Sequence, residues 1–205
     1  MSILTNGPVL PTRIRGHTIE YVDKYIYLGQ RISFRNQSTS EVDRRIKIAW
    51  GRYWSLKHIF KAKLPPKVKK KAMDTTVLPT LLYGCQNWAL SKKIINKLQV
   101  FQRAMERSML DIRLRDRVKN EYMRRKTNII DAAKLACQLK WRWAGHVARA
   151  GDERWTERVL HWSYTREARR ARGCPRGRWR DDIEEVAGVT CTEYINVQRE
   201  VTARK

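Results

Sequence analysis

The chain has 205 residues, 44 of them lysine or arginine and 20 aspartate or glutamate, for a formal charge of +24. With 42% hydrophobic residues it is not compositionally disordered, no stretch approaches the roughly 18 apolar residues of a membrane span, and the start lacks a cationic segment followed by a long apolar run. Such an excess of positive charge repels itself unless a polyanion is near, so nucleic acid is the expected partner, no membrane is, and an intracellular location, nucleus or cytoplasm, is expected.

The charge is uneven. Residues 1–110 carry 21 basic and 6 acidic side chains, residues 111–180 carry 20 and 8, and residues 181–205 carry 3 and 6, so the basic surface should stop at Arg180. Cys85, Cys137, Cys174 and Cys191 are scattered singly. They read as free thiols, because a zinc knuckle needs ligands in close pairs and none forms one, with or without His146 and His161.

Residues 13–33 are expected to form strands, RIRGHTIEYV and YIYLGQRIS, joined at Asp23-Lys24. Ile14, Ile19, Tyr21, Tyr25 and Tyr27 are β-prone and Gly16 permits a turn. A lone hairpin is marginal in water, so this one should border a larger sheet.

From there the chain reads as helices. Ser38, Thr39 or Ser40 is expected to cap the first, with Glu41 and Asp43 in its first turn and an apolar stripe of Val42, Ile46, Ala49, Tyr53, Leu56 and Phe60. Arg44, Arg45, Lys47, Arg52 and Lys57 fall on its other faces, which predicts a free cationic side. Pro65-Pro66 should end it.

A second helix is expected from about Lys67, turning Val68, Ala72 and Thr75 or Thr76 inward and kinking or breaking at Pro79. Its run Lys67, Lys69, Lys70 and Lys71 suits phosphate contact. LLYGCQNW then looks like a buried corner. Ser91 is expected to cap a third helix with the stripe Ile94, Leu98, Phe101, Met105 and Met109, completing a three-helix bundle.

RLRDRVKNEYMRRKT reads as an exposed helix, and Asn128 as the cap of a further one with Ile130, Ala133, Leu135, Ala136, Leu139 and Trp143 in its core. Between Trp141 and Asp182 lie five of the eight tryptophans, interleaved with arginine in KWRWAGHVAR, RWTERVLHW and RRARGCPRGRWRDDI. Aromatic faces among guanidinium groups suit stacking on bases beside neutralised phosphates. Arg124, Arg125, Arg142, Arg176 and Arg178 are therefore a second set of candidate contacts, with Trp141 and Trp179 either stacking groups or part of a small core. GCPRGR should be a loop, followed by a helix from about Trp179.

YLG at 27–29, LPPKVKKKAMDTTVLPTLLYGCQNW, KLQVFQRAMERSML, LRDRVKNEYMRRKT, KWRWAGHVAR and GRWRDDI occur in this order over roughly residues 13–188. Together they resemble the C-terminal part of the endonuclease–reverse transcriptases of non-LTR retrotransposons. The resemblance implies a mainly α fold: a β-hairpin at the palm edge over 1–35, a thumb-like helical bundle over 36–110, and a basic, Trp-rich helical region over 111–205. It implies that Tyr27, Leu28 and Gly29 belong to the strand at the primer terminus. The implied partners are RNA and DNA, as a template–primer duplex.

The parent family works with Mg²⁺ held by carboxylates, two of them in an aromatic-x-Asp-Asp hairpin that should precede the YLG strand. Met1 to Tyr27 contains no such motif, so no catalytic residue, metal ligand or cofactor is expected in this chain, nor polymerisation by it alone. Asp181-Asp182 is the only adjacent aspartate pair, but its spacing to Ile183 and Glu184 predicts a helix start rather than a metal site. The alternative is a domesticated basic helical module that binds RNA, DNA or a protein without any polymerase role.

Overall fold

The structure, a computed structural model, describes residues 2–5, 7, 9–33, 37–150 and 179–187. Over these the chain is mainly α-helical, as expected, with short strands confined to the N-terminal part. It divides into two compact units, Met1–Gly84 with Val100–Ile129, and Cys85–Gln99 with Ile130–Lys205.

The single hairpin expected over 13–33 is instead three separate strand pairs. β1 (Ser2–Leu4) runs parallel to β4 (Glu20–Val22), β2 (Arg13–Ile14) pairs antiparallel with β3 (His17–Thr18), and β5 (Tyr25–Tyr27) with β6 (Gln30–Ile32). The chain reverses where two consecutive residues take positive φ, Arg15 (49°) with Gly16 (82°) and Leu28 (46°) with Gly29 (75°). Such two-residue turns match the twist of antiparallel strands. The turn at Gly16 falls where the sequence placed it, and Asp23-Lys24 links two of the pairs.

The first helix, α1 (Gln37–Ser55), starts before the serines expected to cap it, which moves Glu41 out of the first turn and into the interior. Val42, Ala49 and Tyr53 are buried as their spacing predicts. The stripe does not continue in one helix, because Leu56 leaves helical geometry (φ −103°, ψ 22°) before α2 (Lys57–Lys61). The break lets Phe60 return and stack flat on Tyr53, centroids 4.5 Å apart.

Pro66 occupies the first turn of α3 (Pro66–Ala72), where its missing N–H costs nothing. Pro79 does not end the helical path. A π-turn over Met73–Val77, in which the Leu78 N–H reaches back to the Met73 carbonyl, widens the helix just ahead of the proline and α4 (Leu78–Leu81) follows. Met73, Val77, Leu78 and Leu81 are buried, while Val68, expected inside, is exposed. α1 packs against both the π-turn and α4.

In α5 (Lys92–Leu110), Ile94, Leu98, Phe101, Met105 and Met109 are all buried, as their spacing predicts. The stretch after Asp111 is only partly helical, with a 3-10 turn at Leu114–Asp116 and α6 (Asn120–Thr127), which buries Met123 and Thr127. Asn128 does not start the next helix. It ends α6 in the left-handed conformation (φ 49°), its N–H donating to the Arg124 carbonyl at 2.8 Å. The N-cap of α7 (Ala132–Ala150) is Asp131, whose Oδ1 accepts from the N–H groups of Ala133 (2.9 Å) and Lys134 (3.0 Å).

The buried face of α7 is Ala132, Ala133, Ala136, Lys140, Ala144, Val147 and Ala148; Ile130 and Trp143, read as core, are exposed. Small side chains let the backbone of the 3-10 turn Cys85–Asn87 pack closely on α7. RWTERVLHW and GCPRGR lie outside the described residues. α8 (Asp181–Ala187) opens at the aspartate pair and buries Ile183.

Candidate nucleic-acid interface

The YLG residues are a turn more than a strand: Tyr27 ends β5, and Leu28 and Gly29 are the two central residues of the hairpin turn. This turn is clasped from behind. The Gly29 carbonyl accepts from Arg44 Nη2 at 2.6 Å and from Arg45 Nη2, and the Leu28 carbonyl accepts from the Tyr83 hydroxyl at 3.0 Å. Arg45 lies over the Tyr83 ring, 4.5 Å from its centroid. Gln30 Nε2 donates to the Gly84 carbonyl at 2.9 Å.

Glu41 organises the clasp. Its carboxylate accepts from the Arg31 N–H (3.0 Å), from Arg44 Nε and Nη2 (2.8 and 2.6 Å) and from Arg45 Nε (2.7 Å). Burial works to raise the pKa of this carboxyl, but the hydrogen bonds from Arg44, the Arg31 N–H and Arg45 outweigh it and hold it below its ordinary value. Arg44 and Arg45 are thus committed to the hairpin and are not the free cations expected. In front of the clasp the hairpin presents Tyr25, Ile26, Tyr27 and Leu28 to solvent, Leu28 with 76% of its surface exposed.

The lysine run divides by function. Lys70 Nζ pairs with Asp74 at 2.5 Å and Lys69 Nζ donates to the Met109 carbonyl at 3.4 Å, while Lys67 and Lys71 are exposed. α3 packs against α6, on which Arg124 and Arg125 are also exposed, so these two members of the second predicted set join the lysine run on one unit. From Arg44 to Met73 the sequence holds eleven lysines and arginines and no aspartate or glutamate.

In the second unit, Arg142 is exposed and Trp141 half-buried. Trp179 packs: its Nε1 donates to the Gln86 carbonyl and its ring lies 5.0 Å from the Lys140 ammonium, which is itself buried and donates to the Trp88 carbonyl at 3.0 Å. Beside it, burial pushes the Cys85 thiol up to about 12. Arg176 and Arg178 lie outside the described residues.

Among the described residues no three His, Cys, Asp or Glu side chains converge to hold a metal ion. No helix among the described residues is long and apolar enough to cross a membrane. Sequence reasoning missed Glu41, Tyr83 and Lys140, and it passed over Trp50 and Trp54, which lie beside Tyr53 on α1.

No protein-family model matches the chain, and no solved structure matches it. It is 32% identical over 148 residues to an uncharacterised transposon-derived protein of Caenorhabditis elegans. The match covers 70% of this chain and 53% of the relative, so the chain spans about half the length of the protein it matches. The relationship is consistent with a transposon origin for this chain.

Proposed function

We propose that the chain binds RNA and DNA as the thumb-like part of a transposon-encoded reverse transcriptase, gripping a template–primer duplex while the catalytic carboxylates and Mg²⁺ belong to a palm that these residues do not include. The observation that carries this reading is exposed Lys67 and Lys71 on α3, which packs against α6 with its exposed Arg124 and Arg125. Exposed cations on adjacent helices can follow a phosphate backbone.

The test is the salt dependence of duplex binding. Each phosphate contact contributes about 0.9 to the slope of log affinity against log salt, so Lys67→Ala with Lys71→Ala should flatten it by about 1.8. Lys69→Ala with Lys70→Ala should flatten it less, because those ammonium groups already have protein partners. Equal slopes for wild type and Lys67→Ala/Lys71→Ala would remove α3 from the interface. Primer extension on an RNA template with Mg²⁺ should give no product from this chain; extension that Asp181→Asn abolishes would overturn the assignment of the aspartate pair.

A further inference from the structure

We propose that the Trp54 face of α1 is a stacking site for an unpaired nucleobase of single-stranded nucleic acid. The proposal rests on the nucleic-acid reading above and adds a site that no resemblance assigned.

Trp54 is 48% exposed although it sits in an aromatic column. Its ring lies against that of Trp50, with centroids 6.0 Å apart and planes 18° from parallel. Trp50 in turn meets Tyr53 (5.4 Å, 85°) and Phe101 (5.5 Å, 80°) edge to face, and Tyr53 stacks on Phe60. Tyr53, Phe60 and Phe101 are all buried. The outermost ring is therefore backed by the core, and a flat ligand meeting it has little side-chain freedom to freeze.

Gly51 is the second observation. A Cβ built on it meets nothing within 4 Å, so alanine would fit, and alanine in a helix interior is the more stable residue. Packing gives no reason for the glycine. Its effect is a notch in the helix surface between Lys47, one turn before, and Trp54, one turn after. A base lying against Trp54 would occupy open space where any other side chain would project.

Charge selects the occupant. Lys47 lies on the same row of α1 as Trp50 and Trp54, three and seven residues before them, and no acid occurs in the sequence from Arg44 to Met73. A protein helix docking here would require a continuous apolar stripe, whereas the exposed apolar groups Ile48 and Trp54 are separated by Gly51 and Arg52. A stacking ring flanked by cations fits a base with its phosphates.

The experiment measures binding of the full chain to three labelled probes: a mixed-sequence single-stranded RNA of about twelve nucleotides, a strand of equal length with abasic spacers, and a blunt duplex. Trp54→Ala should weaken binding of the base-bearing single strand by about five-fold or more, Trp54→Phe by less, and neither should change affinity for the abasic strand or the duplex. Gly51→Ala should raise the thermal midpoint and still weaken single-strand binding. Equal affinity of wild type and Trp54→Ala for the base-bearing strand overturns the stacking site, as does an equal loss on the abasic strand. If wild type binds the duplex, such a result leaves the duplex reading intact; if wild type binds none of the probes, both readings fall.

Discussion

Glu41 is the residue on which the first unit most depends. Four hydrogen-bonded contacts converge on a side chain that is almost fully buried, and two of its partners also hold the hairpin turn through the Gly29 carbonyl. Replacing it strands Arg45 in the interior without its counter-charge, and breaking a buried pair in this way costs about 3 kcal/mol or more. Glu41→Gln should lower urea-unfolding stability by that order near neutral pH. The carboxyl's folded pKa lies below its unfolded value, so its contribution is present above the unfolded pKa and is lost as pH falls through the folded one. Buried Glu106 works the other way, since burial outweighs Arg103 and raises its pKa, which makes its ionisation cost stability as pH rises through the folded value. The acid limb of the wild type mixes the two. The gap between wild type and Glu41→Gln isolates one, and it should close as pH falls through the lowered folded pKa of Glu41; a gap that stays constant into acid would show that the clasp is not electrostatic.

Among elements, α5 was fully legible because five buried side chains at steps of four, three, four and four write their own periodicity. The β5–β6 turn was not. Asn-Gly would have announced it, but the chain uses Leu28 in left-handed geometry, a choice that costs about 1–2 kcal/mol for an ordinary side chain. Nothing in the structure rewards that leucine with burial. Leu28→Asn should therefore raise the thermal midpoint while weakening duplex binding if the exposed side chain touches nucleic acid; a more stable variant with unchanged affinity would remove Leu28 from the interface. Asn128 and Asp131 are both capping residue types three positions apart, so only backbone geometry shows that one ends α6 and the other starts α7. In α7 the buried face includes Lys140. A lysine normally marks the solvent side, yet here its ammonium holds the Trp88 carbonyl and the Trp179 ring, and the buried face turns with it. The candidate site was legible as charge but not as geometry: the lysine run was visible, while the pairing of Lys69 and Lys70 and the openness of Lys67 and Lys71 depend on where α5 and Asp74 fall.

For the whole molecule, charge sets stability and binding against each other. A chain of 205 residues at +24 must hold its cations together in the folded state, and only some are matched by acids. Screening shortens the reach of that repulsion to about 10 Å at 0.1 M salt and about 3 Å at 1 M, which favours the compact state. The buried Glu41 pairs are shielded from solvent ions and lose little. The same ions compete for the surface on which a phosphate backbone would lie, so log affinity for duplex must fall linearly with log salt. Raising sodium chloride from about 0.05 M to about 0.5 M should therefore raise the thermal midpoint of the free protein and weaken duplex binding by several orders of magnitude. A duplex added at low salt should restore the midpoint that salt restores, because it supplies the missing anions and binds the folded state preferentially. If the free protein instead loses stability as salt rises, its exposed ion pairs outweigh its repulsion, and the cationic excess is an ordinary solvated surface and not a nucleic-acid interface.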